Sequence, residues 1–484
     1  MLFAVAQELA GLVKFLRGNY ALLIPPLEQL ASMEETVVRD EAVQSLVKLA
    51  ETMPDSDIVT TFAPMVVRLA EQEKFAGKVA AGCLIATAYP RAGSLREKLR
   101  TRFFELSHEE TPMIRRAVAV NMTPFCAVLE KEALLSQLIP EFKQLSVDEQ
   151  DSIRNVCIDA LVSLCRLLNR EENRLHTLPL ALAAGEDKSW KVRIHFAEKF
   201  PELAEVFGKD VTENNLIQTF AQLLKDPEAD VRAVCLHALQ TTLKTISTEK
   251  VQTLIYPQLS SIAQDTNANA NVRMHVSDIA AEMALLMGGA FTLSSLVSIL
   301  EEMLKDDNAE VKMHVSQSME KLATVLGAEF STTRLCASIL ALAKDCSNWR
   351  VREAVIAQCA KLGILLGADE FVRSFQATYF MFLKDISHAV RKAGQSYLPS
   401  LATAMKGDWV HSQLLPALRE TVSTAGYTQR ITVLHCLPQV ELTSAEVLGF
   451  LNEAVRSQVP NVRFNACKVA GALLAKQPSQ DLRR

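Results

Sequence analysis

GEDKSWKVRIHFAEKF, residues 185–200, decides the fold of this chain. It reads as the junction of two helices. LHTLPLALAAG (175–185) precedes the turn, and VRIHFAEKFPELAEVFG (192–208) follows it, each with apolar residues at i, i+3, i+4 and i+7. Strand-type alternation is absent. Working outward from Arg193, a basic residue, usually behind Val or Ile, recurs at Arg39, Lys78, Arg115, Arg154, Arg193, Arg232, Arg273, Lys312, Arg352, Arg391, Arg430 and Arg463. The steps are 39, 37, 39, 39, 39, 41, 39, 40, 39, 39 and 33 residues. A period of that size marks stacked helix pairs, each unable to bury its apolar face without a neighbour.

Three further registers align with the first. Pro stands fourteen residues before the basic residue at Pro25, Pro64, Pro140, Pro179 and Pro416, and sixteen before it at Pro257. Because Pro lacks an N–H it suits a first helical turn, so Pro is expected to open the first helix of each pair and the basic residue the second. Four residues after the apolar residue preceding the basic one come Ala42, Val118, Cys157, Cys235, Val276, Val315, Val355, Gly394 and Ala466. These are small or slim, as close helix packing requires; Phe196 breaks the rule. Finally, Asp lies six residues before the basic residue at Asp148, Asp187, Asp226, Asp306 and Asp385. Stacking would bring each Arg to the Asp of the next repeat, a structural ladder rather than a set of catalytic acids. The expected fold is therefore all-α: a single HEAT-repeat α-solenoid over 1–484, about twelve complete repeats after an opening half repeat at 1–22.

Composition agrees. The chain is 49% hydrophobic and 6% aromatic, with 17 Gly and 17 Pro, which suits helices better than sandwiches or barrels. A net charge of −5 gives no footprint for general nucleic-acid binding. Ten Cys without a C-x-x-C pair read as reduced core thiols, as in the cytoplasm, with the nucleus allowed. No apolar run is long enough to span a membrane, and MLFAVAQELAGLVKF lacks the basic start of a signal peptide. There is no phosphate loop and no H-E-x-x-H, and His108-Glu109 is the only His-Glu pair, so neither a cofactor, a metal nor an enzyme activity is expected. Gly288-Gly289 reads as an isolated inter-repeat turn.

Function is expected where the repeats differ. Three places before each basic residue stand Thr36, Phe75, Pro112, Asp151, Trp190, Ala229, Ala270, Ala309, Trp349, His388, Tyr427 and Pro460. Three plain Ala in the middle separate two stretches with bulky or aromatic residues. Exposed Trp is a favoured interface anchor, so partners are expected at repeats 60–200 and 335–484, with 210–320 as a spacer.

Several strings resemble the scaffolding A subunit family of protein phosphatase 2A: LIPPLEQLASMEETVVRDEAVQSL (23–46), HEETPMIRRA (108–117), SVDEQDSIRNVC (146–157), GEDKSWKVRIHFAEKF, NWRVREAVI (348–356) and PNVRFNAC (460–467). The resemblance implies a horseshoe-like HEAT scaffold holding a phosphatase catalytic subunit together with an interchangeable regulatory B-type subunit on its intra-repeat turns. By that resemblance Glu110, Thr111, Pro112, Arg115, Arg116, Asp151, Trp190 and Lys191, joined by Phe75 from the turn pattern, face the regulatory subunit. Trp349, Arg350, His388, Tyr427, Gln429 and Arg430 face the catalytic subunit. Phe75 stands where the family commonly has Trp, and His388 where it commonly has Tyr. Matched to the family, the chain is expected to lack the first repeat and a half and the last repeat, its final unit ending at Arg484. The alternative expectation is a HEAT-repeat adaptor resembling nuclear transport receptors.

Overall fold

The computed structural model describes residues 1–265, 268–344, 347–405 and 408–476; the expected end of the last unit at Arg484 lies outside them. An opening helix, Leu2–Leu9, is followed by twelve helix pairs, and the described residues contain no strand. The fold is an all-α stack, as the period requires. Its contacts gather into two compact units, Met1–Lys250 and the part from Val251 onward. Each unit holds six second helices packed in chain order. In the first they are Thr36–Thr52, Phe75–Ala88, Pro112–Val128, Asp151–Leu167, Trp190–Val211 and Ala229–Thr242; in the second, Ala270–Met287, Ala309–Leu326, Trp349–Leu366, His388–Met405, Tyr427–Cys436 and Pro460–Lys476.

These bounds correct one expectation. The basic residue does not open the second helix; it is the fourth residue, and the variable position three before it is the first residue in all twelve. The reason lies one residue upstream, where the backbone is extended (Ser189 at φ −89°, ψ 123°; Asn348 at φ −81°, ψ 122°) and helical geometry begins at once. In the second unit Asn side chains cap the freed N–H groups. Asn308 Oδ1 accepts from Glu310 and Val311, and Asn348 Oδ1 accepts from Arg350.

Proline stands in the first α-helical turn as expected: Pro64, Pro140, Pro179 and Pro416 are each the second residue of an α-helix. What the sequence did not show is that a π-helical turn extends the helix upstream, such as Ile58–Phe62 ahead of Pro64 and Asn173–Thr177 ahead of Pro179. A π turn widens the helix by one residue and relieves the clash a proline ring makes with the preceding turn. The same turn occurs without Pro at Thr292–Leu296 and Ser331–Leu335, so the bend belongs to the repeat.

Gly288 is not isolated either. Gly208, Gly288, Gly327 and Gly367 each lie fifteen residues after a basic residue and have φ between 77° and 99°. Gly327 N–H still bonds back to Ala323, while its carbonyl accepts from Ser331 at 3.2 Å in the next repeat. One residue thus turns the chain from helix to helix. At φ 80°, ψ 173° a Cβ would meet no atom, so only backbone strain excludes other residues.

The slim positions pack as read: Ala42, Val118, Cys235, Val315 and Val355 have no exposed surface. Phe196 is fully buried as well, and its bulk is accommodated by Gly185, where an added Cβ would lie 2.9 Å from the ring. Burial pushes the Cys157 and Cys436 thiols up to about 12, so they stay protonated core groups.

Five Arg–Asp rungs are present: Arg115–Asp148, Arg154–Asp187, Arg193–Asp226, Arg273–Asp306 and Arg352–Asp385. In each, Nε and Nη2 donate to the two carboxylate oxygens at 2.6–3.1 Å. The Arg154 Nη1 donates to the Asp148 and Glu149 carbonyls of its own turn, at 2.7 and 3.2 Å. The receiving Asp187 also accepts the Ser189 N–H at 2.7 Å. One side chain therefore fixes two successive turns. In the second repeat, Lys78 pairs with Glu109 at 2.5 Å instead.

Burial acts most strongly on the Asp148 and Asp187 carboxyls and on its own would raise them. The hydrogen bonds from Arg115 and Arg154, with those from the Gln150 and Ser189 N–H groups, outweigh it, and both carboxyls titrate below the ordinary Asp range. The resulting stabilisation is present above the unfolded value of about 3.9 and lost as pH falls through the lower folded value. Asp187→Ala leaves the 5%-exposed Arg154 without its acid and is expected to destabilise by about 3 kcal/mol at neutral pH, less below about pH 3, read by urea unfolding at several pH values. An equal loss at every pH would show that the rung contributes through packing alone. Gly327→Ala is expected to cost about 1–3 kcal/mol in the same assay, whereas Gly449→Ala, inside the helix Ser444–Val455 with open space around it, should stabilise by about 0.5–1 kcal/mol.

Candidate functional site

The first residue of each second helix takes no part in the Arg–Asp pairs. Trp190 is 41% exposed, and Lys191 Nζ sits 5.9 Å from its ring centre. Trp349 is 38% exposed, with the Arg350 guanidinium 4.8 Å from its ring centre. Each presents a flat apolar face backed by a cation. Tyr427 is 51% exposed, and His388 is exposed beside it in the succession of turns. Glu110, Pro112 and Arg116 are exposed, and Thr111 and Phe75 half-buried.

Four candidates are engaged within the fold. Arg115 is a rung, tied to Asp148 and to the Glu109 and Glu110 carbonyls. Asp151 accepts the Ser189 hydroxyl at 3.0 Å, linking two adjacent turns. Gln429 donates to the Lys384 carbonyl at 3.4 Å and accepts from the Thr428 hydroxyl at 2.8 Å. The Arg430 Nε donates to the Ala425 carbonyl at 3.1 Å. These four shape the turns, and the exposed aromatics and charges are what the turns display. All nine residues of the first set lie within the first unit and all six of the second set within the second.

Two residues escaped the sequence reading. Ile386 is 87% exposed in the turn before His388, and Val147 is 70% exposed in the turn before Asp151. The signal was available: the residue after the ladder Asp is Glu149, Lys188, Pro227 or Asp307 in other turns, and Ile386 here. The Ile386 turn is held rigid, since the Asp385 carboxylate accepts the Ser387 N–H and Arg391 Nη1 donates to the Asp385 and Ile386 carbonyls. An aliphatic side chain on a pinned turn forfeits little entropy on binding. Among the described residues, the turns before Ala229, Ala270 and Ala309 expose no large apolar side chain. The described residues also contain no group of three or more His, Cys, Asp or Glu placed to hold a metal, and no helix long and apolar enough to cross a membrane.

Comparison with known proteins gives these turns a context. Residues 129–263 match the family described as PIK3R4-like, middle domain. The regulatory A subunit of protein phosphatase PP2A from Schizosaccharomyces pombe is 36% identical over 219 residues, 44% of this chain and 37% of that protein. The beta isoform of the human 65 kDa regulatory A subunit of serine/threonine-protein phosphatase 2A is 32% identical over 314 residues, 63% of this chain and 52% of that protein. The protein phosphatase 2A scaffold subunit of Dictyostelium discoideum is 32% identical over 229 residues, 47% of this chain and 39% of that protein. The chain thus spans about half, or less, of the length of these relatives, and the resemblance read from its sequence is borne out. Among solved structures, Kap95p in its complex with RanGDP shares 14% identity at a TM-score of 0.71, over 99% of this chain and 68% of that one. Kap121p shares 12% identity at a TM-score of 0.64, over 98% of this chain and 55% of that one. At such identities the likeness is one of fold alone.

The three tryptophans offer a direct check on the exposed face. Trp409 is 5% exposed and donates to Gln376 Oε1 at 2.8 Å, unlike Trp190 and Trp349. Acrylamide is expected to quench two of the three, and Trp409→Phe should remove the protected, blue-shifted component. Uniform quenching would contradict the placement of these side chains.

Proposed function

We propose that the chain is a non-catalytic scaffold of a protein phosphatase 2A-type serine/threonine phosphatase. In this reading the second-unit turns bearing Trp349, Arg350, Ile386, His388 and Tyr427 hold the catalytic subunit. The first-unit turns bearing Phe75, Glu110, Thr111, Pro112, Arg116, Val147, Trp190 and Lys191 hold a substrate-recruiting regulatory subunit of the B type. Its setting is the cytoplasm, extending to the nucleus. The observation that carries the reading is the pairing of exposed aromatics with cations at helix starts in two separate runs, in a chain whose relatives are named as regulatory or scaffold subunits of this phosphatase.

The mechanism needs no chemistry from the chain itself. Two partners held on one support meet at an effective concentration set by the support rather than by their cellular abundance. Large, rigid aromatic side chains suit this role because they bury much area with few torsions to freeze. Salt should weaken both interfaces, since Lys191 and Arg350 act at the surface.

Purified catalytic subunit of protein phosphatase 2A, immobilised and titrated with the full chain, tests the reading. Truncation at an interface hot spot costs at least about 2 kcal/mol, so Trp349→Ala with Tyr427→Ala is expected to weaken binding at least roughly 30-fold. Trp190→Ala should leave that affinity unchanged and weaken capture of a regulatory subunit instead. Equal retention of wild type and the double variant would remove the second-unit turns from the interface.

A further inference from the structure

The ladder runs out of acids toward its far end. Six residues before Arg430 stands Thr424, and six before Arg463 stands Ser457, where five other turns carry Asp. The two arginines that would have paired at these positions, Arg391 and Arg430, behave differently. Arg391 stays sealed at 4% exposure: its Nε donates to the Thr432 hydroxyl at 2.8 Å and its Nη1 to the Asp385 and Ile386 carbonyls. Arg430 is only half-buried. Its Nε reaches the Ala425 carbonyl, and no described carboxylate lies within ion-pair distance of it. It opens onto a groove of about 380 Å³ between the last two helix pairs. Val422, Leu434, Phe450 and Val462 line the apolar part; Arg456 and Ser457 stand with Arg430 on the polar part, against a single acid, Glu453.

We propose that this groove takes a carboxylate side chain from an acidic segment of a protein partner. The five intact rungs supply the template. In each, an arginine at this register position receives two carboxylate oxygens on Nε and Nη2 at 2.6–3.1 Å. At Arg430 the residue that would bring the acid is Ser457, whose side chain is too short and uncharged. With Nε held by the Ala425 carbonyl, a partner's acid meets the Nη1 and Nη2 groups and takes the place of the missing Asp. Two cations facing one acid favour an anionic visitor. The assignment of the partner rests on the scaffold reading above; the carboxylate chemistry does not.

Ser457→Asp separates these layers, because it supplies the missing acid from within. It is expected to raise the melting temperature by closing the rung and, by occupying Arg430, to weaken binding of the catalytic subunit roughly tenfold. Arg430→Ala should weaken binding to a similar degree without the gain in melting temperature, and with a shallower dependence on salt. In a second arm, hexaglutamate is titrated into the full chain in the absence of phosphatase and followed by NMR shifts. Binding by wild type that is lost in both variants is the expected result. Should wild type fail to hold the catalytic subunit yet bind hexaglutamate through Arg430, the scaffold reading fails and the groove stands. Unchanged affinity of Ser457→Asp for the catalytic subunit, or hexaglutamate binding that is absent or survives Arg430→Ala, overturns the proposal.

Discussion

The contact between the Arg154 guanidinium and the Asp187 carboxylate is the interaction on which the other features depend. Arg154 is 5% exposed and its partner carboxylate 11%, so both charges have left most of their water. Such a pair is held only if nearly every donor and acceptor is matched. Here they are: Nη1 serves the carbonyls of its own turn, Nε and Nη2 serve the next repeat's Asp, and that Asp also receives a backbone N–H. A pair of this kind specifies arrangement more than it adds net stability. It fixes the step from one repeat to the next, and five rungs repeat that step.

The same economy explains where function resides. In the five turns with a rung, the Asp, the basic residue and the apolar residue before it are all engaged. The first residue of the second helix takes no part in these pairs, and there the chain varies from Ala to Trp. Because its neighbours are pinned, a side chain at that position is presented in a settled orientation, and the entropy lost on docking is small. Plain alanines at Ala229, Ala270 and Ala309 remove the display. Where the ladder itself lapses, at Ser457, an arginine that would be structural becomes available to others.

Much of this was legible in the sequence, because a repeated physical job leaves a repeated residue. The five Arg–Asp pairs and the slim positions pack as their spacing implied, and Phe196 broke its register only because Gly185 opposite made room. What escaped was set by backbone geometry. The π turns preceding Pro64 and Pro179 carry no residue signature, since repeats without Pro form them too. The helix start three residues ahead of the basic residue depends on an extended residue before it, and varied side chains occupy that place. Gly208, Gly288, Gly327 and Gly367 did form a register, but one measured fifteen residues from the basic position, across the far end of the helix. Ile386 and Val147 were hidden for the opposite reason. Apolar residues are ordinarily assigned to the core, and the contrast of Ile386 with Glu149, Lys188, Pro227 and Asp307 was the one mark against that assignment.

The central claim is that a uniform ladder carries a selective display. Hydrogen–deuterium exchange of the full chain, alone and saturated with purified phosphatase catalytic subunit, measures it most directly. The account requires new protection at the turns and helix starts 347–352, 384–391 and 424–430, with the turns 225–232 and 305–312 unchanged. Protection spread evenly over all turns, or concentrated at the alanine-bearing ones, would contradict it.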